Sequence, residues 1–138
     1  MEFSRKIATM DLAGSPSEFG EPGGHWEKWR ERFRDQSRES LAGLRLPIAH
    51  PVKLVCHFRV LRGAKGHDID NLLKPLMDAL GAAGLFAGTR TGGKLSEWNT
   101  EDGWVYSIEA DKELVESDAG THVEVYVSRE VADMVITG

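Results

Sequence analysis

The sequence predicts a small α+β domain with a mixed β-sheet and two main helices, in the order β-α-β-α-β-β. Three observations predict this fold class: a length of 138 residues with 41% hydrophobic and 28% charged residues, segments of alternating apolar residues, and two segments with apolar residues at helical intervals. A chain of this length buries roughly two thirds of its unfolded surface, so a disulfide or structural metal is not needed. We therefore expect residues 1–138 to form one domain.

Alternating apolar residues indicate the strands. The clearest strand is predicted at residues 51–60, where Cys56 belongs to the core-facing set. Weaker alternation predicts three further strands, at residues 3–12, 104–110 and 123–127. Residues 115–120 are expected to form the turn between the last two strands, as an antiparallel pair. Residues 87–100 are expected to be a long loop, and the tail 130–138 fits either a short helix or a short strand.

Helical periodicity appears in two places. The first segment, 25–42, places aromatic and aliphatic residues on one stripe against a charged face. The second begins near Asp70, and Gly81 or Gly84 is expected to end it. Pro75 leaves two alternatives: either the helix starts at Asp70, or a tight turn precedes a regular helix that starts at Pro75.

The charge of the chain is unevenly distributed along the sequence. The net charge is −5, which mildly disfavours a nucleic-acid partner. Residues 1–74 contain 13 basic and 10 acidic residues, whereas residues 75–138 contain 4 and 12. These totals fit either a basic surface built by the first half or an even scatter of charges.

Cysteine usage and hydropathy indicate the compartment. The single Cys56 forms no internal disulfide, which favours a reducing interior. The N-terminal residues lack the apolar run of a signal peptide, and no segment has the 18 or so apolar residues of a membrane span. We expect a cytoplasmic protein without a membrane partner.

Two carboxylates stand directly before the second helix, in the stretch GHDIDNLLKPLMDALGAAGLF. In an extended segment Asp68 and Asp70 point to the same side, where like charges repel unless a cation such as Mg²⁺ lies between them. The alternative is that Asp70 or Asn71 caps the helix while Asp68 is simply exposed. Lys74 lies one turn after Asp70, so it can pair with the carboxylates or reach a bound phosphate.

The stretch DIDNLLKPLMDALGAAGLF, followed later by EDGWV, resembles the signature of the RusA family of Holliday junction resolvases. The resemblance covers roughly residues 51–128. It implies that Asp68 and Asp70 are metal ligands, that Asp102 is the third essential carboxylate, and that Lys74 is the essential lysine. It also implies a Mg²⁺-dependent homodimer, with Mn²⁺ as a substitute, that nicks four-way DNA junctions symmetrically and is often encoded by bacteria or phages.

The alternation of the third strand offers an independent choice between Glu101 and Asp102 as the third carboxylate. Asp102 shares its parity with a set of residues expected to face the core. These residues are Trp104, Tyr106, Ile108 and Ala110. Glu101 points the other way, so Asp102 is favoured, unless residues 87–100 shift the strand by one position and exchange the two roles.

Two other classes of function compete with junction cleavage. One is a RusA-like DNA-binding or assembly module that has lost catalysis, and the intact Asp68, Asp70 and Lys74 oppose it. The other is a metal-dependent hydrolase of nucleotides, which is disfavoured because no glycine loop of the phosphate-binding type stands between a strand and a helix.

Overall fold

A computed structural model describes residues 2–15, 25–63, 68–86, 88–90, 98–100 and 104–137. In these residues the chain forms six strands and three helices. They are β1 (Arg5–Ala13), α1 (His25–Leu41), β2 (Val52–Leu61), α2 (Ile69–Ala82), β3 (Gly88–Arg90), β4 (Trp98–Thr100), β5 (Val105–Val115), β6 (Gly120–Val127) and α3 (Arg129–Val135). None of the helices in this described part is long and apolar enough to cross a membrane.

The main sheet has four strands in the order β1-β6-β2-β5. β2 and β5 are parallel, whereas β6 runs antiparallel to both β1 and β2. The predicted α+β class with a mixed sheet is therefore confirmed. The expectation that β5 and β6 pair as neighbours is wrong, because β2 lies between them. The short turn between β5 and β6 predicts a hairpin, but the local sequence does not reveal that β2 lies between these two strands.

The core lies between one face of this sheet and the helices. On β2, the residues at every second position from Val52 to Val60 are buried, and Cys56 is among them as predicted. β6 contributes Val123, Val125 and Val127 to the same core, and the residues between them are only partly buried. Buried area of this kind stabilises the fold by about 25 cal/mol per Å² of apolar surface.

The helices bury the stripes that their periodicity predicts. Trp29 and Phe33 of α1 are almost fully buried, with ring centroids 5.4 Å apart. Leu72 and Leu76 of α2 are fully buried. In α3 the hydroxyl of Ser128 accepts a hydrogen bond from the amide of Val131, which caps a helix that the sequence left undecided between helix and strand.

α2 resolves the two alternatives raised by Pro75. The helix begins at Ile69 and continues through Pro75 without interruption. Pro75 lacks the amide that would otherwise bond the carbonyl of Asn71, which is an exposed residue. The alternative of a tight turn before Pro75 is therefore wrong.

A Schellman motif ends α2, and it uses the second of the two glycines that the sequence offered. The amide of Leu85 donates to the carbonyl of Leu80 at 3.0 Å, and the amide of Gly84 donates to the carbonyl of Gly81 at 3.0 Å. Gly84 has a φ of +88°, a conformation that costs other residues about 1–2 kcal/mol.

Residues 87–100 contain more regular structure than predicted. β3 and β4 pair antiparallel, with Gly88 opposite Thr100 and Arg90 opposite Trp98, so the expectation of a loop is wrong for these residues. Strands of three residues are too short to show an alternation of apolar and polar side chains, which is the signal that predicts a strand.

The alternation predicted for β5 fails at Tyr106, whereas Trp104 and Ala110 pack against the core as predicted. Val105 is the register partner of Val52, but Ser107 is the partner of Lys53, so Tyr106 is an extra residue in β5. Tyr106 is 61% exposed, and Ile108 is 42% exposed because β5 is the last strand of the sheet. The bulge therefore brings Val105, next to Tyr106 in the chain, to the core-facing side opposite Val52.

Candidate active site

The N-terminus of α2 presents the first of the predicted site residues. Asp68 occupies the N-cap position with an extended backbone, and its carbonyl accepts the first helical hydrogen bond from the amide of Leu72 at 3.1 Å. Its exposed carboxylate accepts no capping hydrogen bond from the helix. Asp70 and Asn71 lie inside the helix, so the alternative in which one of them is the cap is wrong. The Asp68 side chain thus stands at a capping position without the usual capping role.

Asp70 and Lys74 lie on one exposed face of α2. They are four residues apart in a continuous helix, and the buried stripe with Leu72 and Leu76 occupies the other face. Residues at this spacing are neighbours on a helix surface. Both side chains are exposed, and within the described residues no ion pair joins Lys74 to Asp70.

The parallel strands determine which end of the sheet carries this site. β2 and β5 run in the same direction, and α2 returns along the sheet after β2 ends at Leu61. The return is complete at Phe86, which forms a bridge with Ile48 just before β2 starts. Asp68 and Asp70 therefore lie near the carboxyl ends of the parallel strands, where α/β proteins commonly bind ligands.

Arg62 is fixed at the same end of the sheet. Its amide donates to the carbonyl of Val115 at 2.9 Å, and its Nε lies 2.7 Å from Oε1 of Glu116. Its side chain is 62% exposed. The other two basic residues of this loop, Lys65 and His67, lie outside the described residues. Arg62 is thus the described cation that directly precedes the carboxylates in the chain.

Asp102, with Glu101 before it, lies outside the described residues. Trp104, the next described residue, precedes β5, which starts beside Val52. This is the end of the sheet where α2 ends, opposite to Asp68, and α2 is about 20 Å long. The regular alternation from which Asp102 was chosen is interrupted by the bulge at Tyr106, so it no longer distinguishes Asp102 from Glu101. The role of Asp102 stays a prediction that rests on the resemblance alone.

The described carboxylates fit a hard divalent cation by their chemistry. No group of three or more His, Cys, Asp or Glu side chains in the described residues is arranged to hold a metal ion. Mg²⁺ commonly retains several waters and takes only one or two protein carboxylates. The expectation that an extended segment points Asp68 and Asp70 to one side is wrong, because Asp70 already lies inside α2, where residues two apart do not share a face. Both carboxylates are nevertheless exposed at the start of α2, so they are the described residues that could supply the two ligands.

A polar cluster that the sequence did not reveal lies on the sheet face opposite the helices. His57 of β2 contacts Asp111 through Nδ1 and Glu113 through Nε2, the latter at 3.0 Å. The hydrogen bonds with Asp111 and then Glu113 raise the pKa of His57. On the same face, Nζ of Lys53 lies 2.8 Å from Oε1 of Glu109. The polar residues of β2 and β5 are visible in the sequence, but only the parallel pairing of the two strands shows that these residues contact each other.

This cluster also explains the uneven charge of the sequence. Basic groups from the first half, such as Lys53 and Arg62, pair with acidic groups from the second half, Glu109 and Glu116. These basic groups are therefore partly neutralised by acidic partners at or just beyond β2 and β5. This face of the sheet is not the basic surface that a nucleic acid requires.

Comparison with known proteins assigns no family to this chain. No protein-family model matches it, and no curated protein matches it. The likeness to RusA resolvases therefore rests on the residues of its motif, of which Asp68, Asp70 and Lys74 lie together at the start of α2.

Proposed function

We propose that the protein is a Mg²⁺-dependent endonuclease that resolves four-way DNA junctions by paired nicks. The single observation that supports this function best is the N-terminus of α2. There the Asp68 carboxylate occupies a capping position without capping, Asp70 follows in the first turn of the helix, and Lys74 lies one turn after Asp70 on an exposed face. Carboxylates and a lysine in this order suit phosphodiester hydrolysis.

Each side chain has a distinct task in this proposal. Asp68 and Asp70 hold the divalent ion, Mg²⁺ or Mn²⁺ in its place, and Asp102 is proposed as the third carboxylate. The ion would act as a Lewis acid on the scissile phosphate and would activate water. Lys74 offsets the negative charge that develops on the phosphate oxygens in the transition state. The positive end of the α2 dipole favours the approach of the same phosphate.

Paired nicks on opposing strands require two active sites related by symmetry. We therefore propose a C2 homodimer, in which the Asp68 and Asp70 of each protomer act on one of the two opposing DNA strands. Light scattering at the concentration used for cleavage tests this part of the proposal. A mass of one chain under those conditions would contradict a paired-nick mechanism.

The decisive experiment compares cleavage of four substrates with Mg²⁺: a four-way junction, a flap, a linear duplex and a mononucleotide. We expect the junction to be nicked symmetrically. Asp70→Asn should abolish cleavage and leave junction binding equal or tighter, since a negative charge near phosphate is removed. Asp133→Asn, an exposed aspartate of α3, is the matched control and should cleave normally. Full cleavage by Asp70→Asn would contradict the metal site.

The third carboxylate is tested separately. Asp102→Asn should eliminate cleavage, whereas Glu101→Gln should lower it by less than about tenfold, or 1.4 kcal/mol of transition-state stabilisation. The reverse ranking would assign the role to Glu101. Equal and small effects would show that neither residue is a ligand.

The second candidate function is a RusA-like DNA-binding or assembly module without catalysis. The observation that favours it is the acidic balance of the chain, with a net charge of −5. It predicts junction binding that Mg²⁺ does not convert to cleavage, and binding that Asp70→Asn and Asp133→Asn alter equally. The same four-substrate experiment therefore separates the two functions.

A further inference from the structure

A surface groove of about 340 Å³ lies where the C-terminal part of α1 meets the end of α2. Its apolar lining consists of Leu41, Ala42, Leu46 and Ala83. Leu41 is buried, whereas Ala42 is exposed at the turn that follows α1. The volume is in the range of pockets that accept one or two side chains or a small ligand.

Two arginines border this apolar lining. Arg34 and Arg38 are one turn apart on α1 and both line the groove. Their side chains are 46% and 78% exposed. The hydroxyl of Ser37, which lies between them, donates to the carbonyl of Arg34 at 3.2 Å and is thereby satisfied within α1. The guanidinium groups are therefore the polar groups that this wall offers to a ligand.

One carboxylate serves both arginines. Oδ1 of Asp35 lies 3.7 Å from Nε of Arg34 and 3.6 Å from Nη2 of Arg38. These separations exceed hydrogen-bond length, and a single negative charge cannot neutralise two guanidinium groups. Arg38 stands in the last turn of α1, where the helix dipole favours a cation, but Arg34 lies one turn earlier, beyond that effect. The wall thus keeps a net positive charge above an apolar floor.

The combination points to an acidic amphipathic ligand. A DNA backbone offers phosphates but no apolar group for the floor made by Leu41 and Leu46, whereas a peptide offers both kinds of group. Arginine is well suited to bind carboxylates with two parallel hydrogen bonds. The groove includes Ala83, which caps the far end of α2 from Asp68, about 20 Å along the helix axis. It is therefore separate from the Asp68 and Asp70 end of α2.

We propose that this groove binds an acidic peptide segment of a partner protein. An aliphatic or aromatic side chain of the segment occupies the apolar floor, and flanking carboxylates pair with Arg34 and Arg38. The proposal is independent of DNA cleavage, so it stands or falls by peptide binding.

The test uses a fluorescein-labelled peptide with the sequence Asp-Asp-Leu-Phe-Asp-Asp and measures fluorescence polarisation against the full chain. A second peptide, with two serines in place of Leu-Phe, keeps the charge and removes the apolar side chains. We expect saturable binding of the first peptide and binding at least about tenfold weaker for the second, since one tenfold step is 1.4 kcal/mol.

Four variants locate the binding site. Arg38→Glu and Ala42→Glu should each weaken binding by about tenfold or more, because each places a carboxylate at the groove. Asp35→Asn should tighten binding, because it removes the charge that competes with the peptide. Arg32→Glu is the matched control on α1, since Arg32 is exposed and does not line the groove, and it should change affinity less than about twofold.

Circular dichroism melting of each variant verifies the fold, and the substituted side chains are exposed, so little loss of stability is expected. Absence of saturable binding up to about 1 mM peptide, which corresponds to about 4 kcal/mol, would overturn the proposal. Equal affinity for the serine peptide would also overturn it. So would a loss of duplex DNA binding in Arg38→Glu that matches the loss of peptide binding, because the groove would then be a nucleic-acid contact.

Discussion

The Nε2 atom of His57 on β2 lies 3.0 Å from Oε1 of Glu113 on β5, across the parallel edge of the sheet. Asp111, two residues earlier on β5, contacts the other ring nitrogen. One imidazole thus joins two carboxylates of the neighbouring strand. Since β5 is the last strand in the sheet order, this contact helps to hold the edge strand in register.

The first prediction concerns the pH dependence of stability. Hydrogen bonds with Asp111 and Glu113 raise the pKa of His57 above the ordinary value of 6.5. A group whose pKa is raised in the folded state adds stability that is complete below its unfolded pKa and is lost as pH rises through the folded pKa. We expect the difference in unfolding free energy between wild type and His57→Gln to be larger at about pH 6 than at about pH 9.

Urea denaturation at the two pH values measures this difference. The control is the same substitution in a background with Asp111→Asn and Glu113→Gln, where the pH dependence due to His57 should disappear. A difference that grows as the pH rises would have the opposite sign and would contradict the assignment.

Two glycines give a matched test of the C-terminus of α2. Gly84 has a φ of +88° and an added Cβ would meet no atom within 4 Å, so Gly84→Ala should cost only the backbone penalty of about 1–2 kcal/mol. Gly43 is equally open but does not have a positive φ. Gly43→Ala should therefore be neutral or stabilise the protein by up to about 1 kcal/mol. If both substitutions shifted the urea midpoint of unfolding in the same direction, the left-handed backbone conformation of Gly84 would be contradicted.

The single thiol provides a third prediction. Burial, with the nearby charge of Asp111, raises the pKa of Cys56 to about 12. Because the thiolate is the reactive form, the folded protein should react with a disulfide reagent at about pH 8 only at the rate at which it opens. Labelling in urea above the unfolding midpoint should be complete within mixing. Rapid labelling of the folded protein would show that the core-facing side of β2 is open at this point.

Much of the fold could be predicted from the sequence because its elements are amphipathic. The alternation around Cys56 and the helical spacing of Trp29 and Phe33 each report a face that must be buried. Strand order carries no such local signal. The insertion of β2 between β5 and β6 depends on contacts far apart in the chain, and the bulge at Tyr106 depends on a partner strand.

The positions of the candidate site residues could be predicted where these residues are close together in the sequence, and not where they are far apart in it. Asp68, Asp70 and Lys74 lie within seven consecutive residues, so one helix start is enough to bring them to one region. Asp102 follows two short strands whose course no periodicity reports. The partnership of His57 with Asp111 was missed for the same reason, since 54 residues separate them.

Lys74 gives the sharpest test of the proposed chemistry. It lies on the exposed face of α2 one turn after Asp70, and its backbone belongs to a helix fixed by the buried Leu72 and Leu76. Its charge should act on the transition state more than on the bound substrate. Lys74→Ala should therefore slow single-turnover junction cleavage by two or more orders of magnitude, about 3 kcal/mol, with little change in junction affinity.

Single-turnover rates and electrophoretic binding titrations on the same junction measure the two effects apart. Lys6→Ala, which removes an exposed lysine from β1, is the matched control for the loss of one positive charge and should leave the rate unchanged. Lys74→Arg keeps the charge and should retain part of the rate if charge at this position is what matters. Weaker junction binding by Lys74→Ala, with an unchanged cleavage rate once the junction is saturated with protein, would show that Lys74 anchors a phosphate in the ground state, because losing uniform binding energy lowers affinity and leaves the bound step unchanged.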